Sequence, residues 1–238
     1  MKRFTIFLIT ITLAVVLAAC GNDEADETEE KEQPDEDVAE QANAEVEVSD
    51  KEKVNDDDVV VNINDSGVKG TDYNIFYLQT KMQMQQFGQD IEDLDSIKEQ
   101  TLDRLITQEL LMQEAEKEGI EISDEEVNSE LDEIKEQVGE NFDDQVKEIG
   151  MNEESFKDQL SNELLISKYA DEKIKTEEVS DDEAKEMYEN LEQQNEEIAD
   201  FDEIKDELKQ SIEEQKKQEE LQAKVEELKE SADIEKLI

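Results

Sequence analysis

The chain has 238 residues, 72 Asp plus Glu against 24 Lys plus Arg, a formal charge of −48, one Cys, one Pro, seven Gly and no His. Such acidity leaves nothing to neutralise phosphates, so nucleic acid is excluded as a partner. Without His and with a single Cys, Ser-His-Asp and Cys-His catalysis, His-bearing zinc sites and Cys-clustered metal sites are excluded as well. So few Gly and Pro argue against a many-turned β-sandwich or a Gly-rich nucleotide fold and favour long helices.

Lys2 and Arg3 precede a run from Phe4 to Leu17 that is apolar except for Thr5, Thr10 and Thr12. The run has the length of a signal-peptide core and falls short of the ~20 residues of a membrane span. It ends in Leu17-Ala18-Ala19-Cys20-Gly21, which resembles a bacterial lipobox. That resemblance implies a signal peptide over 1–19, acylation of Cys20, and a chain tethered to the outer face of a cell membrane, as in a Gram-positive envelope. Two or more acyl chains hold stably where one is marginal.

From Gly21 to Asp58 eighteen acidic residues face only Lys31, Lys51 and Lys53, and Leu, Ile and aromatic residues are absent. Little apolar surface offsets the entropy of ordering, so 20–58 is expected to be a lipidated, disordered acidic tether that spaces the body from the membrane.

The body is expected over 59–238. Val59 to Ile63 reads as a strand, followed by the turn Asn64-Asp65-Ser66-Gly67. Asn62, Asn64, Ser66 and Gly67 imitate the first half of a calcium loop, but Tyr73 stands where the bidentate Glu is required, so no metal site is expected. Helical spacing follows. Tyr73, Phe76, Tyr77, Met84 and Phe87 mark a first helix stopping near Gly88. Ile97, Leu102, Leu105, Ile106, Leu110 and Leu111 mark a second, ending at Gly119. Ser123 with Glu126 forms a capping box opening a third, with Val127, Leu131, Ile134 and Val138. Phe142, Val146 and Ile149 form a short fourth. Asn152 caps a fifth bearing Phe156, Leu160, Leu164 and Tyr169, and Ser180 with Glu183 caps a sixth. Asp200 with Glu203 caps the last and longest, and Asp233 to Ile238 closes as a short strand. Repeated caps and glycine stops exclude one continuous coiled coil.

In this order the elements resemble the SurA/PrsA-type foldases. Val60 to Tyr73 is similar to their extended opening, Leu102 to Leu111 to their "L-x-x-L-I-x-x-x-L-L" helix, and Ala115 to Val127 is the most specific stretch. Gly150 to Tyr169 resembles the next helix, and Phe201 onward the long helix that returns to the N-terminal lobe. Asp65 departs from the family, which carries Gly there. The resemblance implies a mainly α fold: a multi-helix SurA N-terminal-like chaperone lobe with a long C-terminal helix packed back on it and minor strands at the body's ends.

The family's parvulin isomerase domain lies between the lobe and the final helix. Here only Glu192 to Ala199 occupy that interval, which cannot hold a domain of about a hundred residues. The resemblance therefore implies a membrane-anchored, holdase-like chaperone for unfolded or nascent secreted proteins, without catalysis or cofactor; a homodimer is left open. The alternative is a helical lipoprotein that scaffolds or regulates one envelope partner. The client-binding candidates are Tyr77, Met82 and Met84, since aromatic area and adaptable Met suit promiscuous contact. The competing expectation is that this stripe is ordinary core.

Overall fold

The computed structural model describes residues 46–194 and 198–238. The expected signal peptide 1–19, Cys20 and the expected tether as far as residue 45 lie outside the described residues. The architecture is mainly helical, with one small sheet.

Strands β1 (Val59–Ile63) and β2 (Ser66–Lys69) form an antiparallel hairpin in which Ile63 pairs with Ser66, leaving Asn64 and Asp65 at the turn. Asn64 takes φ 55°, a left-handed conformation that Asn tolerates better than most residues. Strand β3 (Ile234–Lys236) adds to the free edge of β1, giving the order β2-β1-β3. Asn64 also joins the hairpin to the C-terminal segment. Its backbone N–H donates to the Asp233 carbonyl at 2.8 Å, and its side-chain oxygen accepts from Asp233 N–H at 3.0 Å.

Helix α1 (Gly70–Gln86) leads into α2 (Leu94–Lys117) across the glycine stop at Gly88. Phe87 is the C-cap of α1 and 67 % exposed, so the apolar stripe expected to include it ends at Met84. Helix α3 (Asp124–Val138) starts at the expected Ser123–Glu126 capping box, and α4 (Phe142–Glu148) follows a single 3-10 turn. Asn152 opens α5 (Glu153–Lys173) in a box with Ser155. Ser180 and Glu183 exchange bonds at the start of α6 (Asp181–Gln194). At the start of α7 (Phe201–Ser231) Asp200 does occupy the N-cap, but its carboxylate accepts no capping bond. The Glu203 N–H bonds the Asp200 carbonyl instead, at 2.9 Å.

Three apolar clusters hold these elements. The first joins the sheet to α1 and α2 through Val60, Ile63, Tyr73, Tyr77, Ile97 and Leu102, with Leu228 and Ile234 packed against it from the returning C-terminus. The second packs Leu111 and Ala115 of α2 on Leu165 and Tyr169 of α5 and Val225 of α7. The third unites α3, α4 and α5 through Val127, Leu131, Phe142, Val146 and Leu160, and Ile75 of α1 reaches it. The long final helix thus does return to the lobe.

One boundary moves. Residues 46–58, expected as the end of the tether, are folded onto α1. Val48 and Val54 pack against the first cluster, and the body begins at least by Val46. An acidic tract is ordered here because α1 supplies the apolar surface, the amide and the cation that its few valines, its backbone and its Glu52 require.

Candidate functional site

Helix α1 has no side-chain N-cap; its first amides are satisfied from the segment that precedes β1. Gly70 N–H donates to the Asp58 carbonyl at 2.7 Å and Thr71 N–H to the Asp56 carbonyl at 3.2 Å. The chain passes so close that a Cβ on Gly70 would sit 2.0 Å from the Asn55 carbonyl oxygen, so only glycine fits there. Farther along α1, Asn74 brackets the backbone of one residue. Its Oδ1 accepts from Val54 N–H at 3.0 Å and its Nδ2 donates to the Val54 carbonyl at 2.9 Å. Two turns on, Lys81 Nζ donates to the Glu47 carbonyl at 2.9 Å and to Glu52 Oε1 at 2.5 Å, and Tyr77 OH, one turn on, donates to the same carboxylate oxygen at 3.1 Å.

The Lys81 and Glu52 side chains are 10 % and 5 % exposed. Burial pushes the Glu52 carboxyl up, but hydrogen bonds from Lys81 and Ser49 outweigh it and hold the group down at about 2. The same carboxylate works the other way on its neighbours. Burial and then the Glu52 charge push Tyr73 up to about 12 and Tyr77 higher still.

Beside this strapped face α1 borders a groove in two parts. One, of about 510 Å³, lies between Val46 and Val48 of the arm formed by the residues before β1, Ile75 and Leu78 of α1, and Asn152 at the start of α5. The other, of about 270 Å³, runs between α1, α2 and α5 over Phe76, Leu105, Met112 and Met151. Thr71, Ile75 and Ser155 line both parts, so the two adjoin. Gly150, at φ +79°, lets the wall close on it: a Cβ there would stand 3.0 Å from Leu78 Cδ2.

The second part has an acidic rim in Asp72, Glu109 and Asp158. Burial, then the charges of Asp158 and Glu109, push the Asp72 carboxyl up against an opposing hydrogen bond from the Lys69 backbone. Gln159 donates to Glu163 at 2.9 Å, while its own Oε1, buried at this wall, has no hydrogen-bond partner. An apolar floor, a polar rim and an acceptor without a donor suit a chain that brings apolar side chains and N–H groups.

The candidates named from sequence separate here. Tyr77 is 2 % exposed and lies under the arm, and Met84 is 5 % exposed, with its sulfur accepting from Gln100 at 3.5 Å. Both are core. Met82 stays half-buried, and helical spacing sets it one turn beyond Leu78 on the groove face. Sequence reasoning missed Asn74, Lys81, Ile75 and Leu78. The signal for the last two was an apolar pair three residues apart, opposite the Tyr73–Tyr77 stripe. Among the described residues there is no group of three acidic or Cys residues placed to hold a metal, and no helix long and apolar enough to cross a membrane.

Residues 2–170 match the SurA-like N-terminal domain, so the match ends within α5. The foldase protein PrsA of Caldanaerobacter subterraneus subsp. tengcongensis is 31 % identical over 154 residues, which cover 60 % of this chain and 46 % of that one. PrsA of Clostridium perfringens is 31 % identical over 152 residues, covering 59 % and 42 %. The chaperone SurA of Pectobacterium atrosepticum is 29 % identical over 122 residues, covering 50 % and 28 %. The chain spans less than half the length of each of these relatives. With its helical lobe, returning helix and more than half its length matched, the chain belongs to the SurA-like N-terminal domain family, within a group of chaperones and foldases.

Proposed function

We propose that this protein is a membrane-anchored, extracytoplasmic chaperone that holds unfolded exported proteins in the groove along α1 and performs no prolyl isomerisation. The observation that carries the reading is the groove itself: an apolar floor of Ile75, Leu78 and Met151 in a protein whose surface is otherwise strongly acidic. Apolar floors collect exposed apolar segments, and the net charge of −48 keeps a chaperone loaded with such segments soluble.

The anchoring half of the proposal rests on Lys2, Arg3, the apolar run and Cys20, the lipidation site in this reading. Residues 1–19 are the signal peptide, the acidic stretch after Cys20 is the tether, and the folded chaperone domain runs from Val46 to Ile238. The non-catalytic half rests on the absence of His from the sequence and on the interval of six residues between α6 and α7.

The test is suppression of aggregation of two unrelated denatured proteins by the mature chain, carrying Cys20→Ser so that it stays unlipidated, at low and high salt. Suppression of both, weakened by Leu78→Glu and by Met82→Glu, is expected. A chain that is folded, helical and without effect on either protein would sink the holdase reading and leave a single dedicated envelope partner. Catalysis in a proline-isomerisation assay would sink the non-catalytic half alone.

A further inference from the structure

The contacts of residues 46–54 differ in kind from those that follow. Asp56 and Asp58 cap α1 and so belong to its folding. The arm before them is held chiefly through its main chain: Asn74 reads both backbone polar groups of residue Val54, and Lys81 reads the Glu47 carbonyl. Val48 and Val54 fill the apolar surface, and only Glu52 is recognised through a side chain, by Lys81 and Tyr77. A carboxamide paired with the N–H and carbonyl of one residue, as a neighbouring strand would pair with it, apolar sockets beside it and one cation for a carboxylate held out by the Ser49–Glu52 turn make up the contact set of a peptide-binding site. Main-chain recognition is indifferent to sequence, which is what a binder of many clients needs.

We infer that the Asn74–Tyr77–Lys81 face of α1 is a binding surface for polypeptide that makes a tight turn presenting a carboxylate between β-branched apolar residues, and that residues 46–54, which turn at Ser49–Glu52, are its resident occupant. The inference rests on the chaperone reading for the identity of the incoming chain, an unfolded client, but not for the existence of the site. Because the arm is covalently linked, it competes at an effective concentration on the order of millimolar. A client segment therefore wins only when it also engages the adjoining groove over Phe76, Leu105 and Met112, because the wall that Val46 and Val48 give the other part leaves with the arm. Displacing the arm joins the two surfaces into one.

The experiment uses the mature chain with Cys20→Ser and two variants that loosen the arm by different means. Gly70→Ala places a Cβ against Asn55, and Glu52→Gln removes the charge that Lys81 holds. Hydrogen exchange at Val54 reports release of the arm. Fluorescence anisotropy of a labelled peptide with the sequence of residues 44–58 reports the vacated site, and reduced, carboxymethylated α-lactalbumin is the unfolded competitor. Both variants should expose Val54 and bind the peptide roughly tenfold or more tighter than the parent chain. Adding Asn74→Ala to either variant should abolish the gain without further lowering its thermal midpoint. The unfolded competitor should displace the peptide and, on the parent chain, speed exchange at Val54.

Faster exchange at Val54 with no gain in peptide binding in either variant would overturn the inference, as would a Val54 that stays protected in both. Peptide capture that Asn74→Ala abolishes, with no binding of the unfolded protein by any variant, would uphold the site while defeating the holdase reading. Aggregation suppression that is indifferent to arm release and to the peptide would do the reverse.

Discussion

Helices α1 and α7 are both acidic-protein helices, yet they are held in opposite ways. In its 17 residues α1 buries Tyr73, Phe76, Tyr77, Thr80, Lys81 and Met84, and it meets the sheet, α2 and the arm. In its 31 residues α7 buries only Leu208 and Val225. Its N-terminal half packs on α6, with Tyr188 edge-on to Phe201 at 5.4 Å, and that contact is laced by ion pairs. Lys205 and Lys209 both reach Asp181 at 2.5 Å, and Lys216 reaches Glu183 at 2.5 Å. Lys217 pairs with Asp171 of α5. The difference teaches that burial fixes α1, whereas α7 relies on a narrow apolar seam supplemented by pairs that salt can screen.

The comparison breaks most sharply at Tyr77. Tyr77→Ala removes a nearly fully buried ring and a donor to Glu52, and should cost about 3–5 kcal/mol in urea unfolding. A loss no larger than that of a surface substitution would mean that α1 is not the better-packed helix. Leu208→Ala should cost about 2 kcal/mol, at the low end for a buried leucine, because the thin α6–α7 seam can close over the gap. An equal loss at both sites would remove the contrast.

Acid should act on α1 in a smaller and more local way. The Glu52 carboxyl is held at about 2 in the folded chain against an ordinary 4.5. Its contribution is complete above about 4.5 and is lost as pH falls toward 2, because the unfolded form then binds the proton first. Exchange at Val54 should therefore quicken in that window before α2 unfolds, while protonation elsewhere relieves self-repulsion. An arm that stays protected throughout the window would show that the Lys81–Glu52 pair is not what holds it.

The smallest effect is expected at Asp181, whose carboxyl is held at about 2 by hydrogen bonds from Lys205 and Lys209 at the surface. Asp181→Asn should lower the thermal midpoint slightly at low salt and not measurably at high salt. The parent chain, at −48, should instead gain stability as salt rises. A stability independent of salt would contradict both expectations.

Much of this was legible in the residues. The Ser123–Glu126 and Asn152 caps and the glycine stops depend on a few adjacent backbone groups, and they place α2 to α5 without reference to the rest of the molecule. Asp200 shows the limit of such reading: the right residue in the right place leaves the capping bond unmade. The candidate site was less legible. Tyr77 and Met84 satisfied a compositional argument for client contact, but a stripe of aromatics cannot say which of its members another segment will cover.

Sequence alone determined the helical class, the order of the helices, strand β1 and the acidic character, because periodicity, caps and charge are local or additive, whereas Ser66 and Gly67, read as turn, belong to β2. Only the tertiary structure decided that residues 46–58 fold onto α1 and that Asn74 and Lys81, ordinary polar residues of a helix, bind a backbone. It also decided that the groove opens along Thr71, Ile75 and Leu78 and takes only Phe76 from the aromatic stripe. Each of these depends on two segments 20 or more residues apart meeting at hydrogen-bond distance. An acidic tract with three valines orders itself only where a complementary surface already exists.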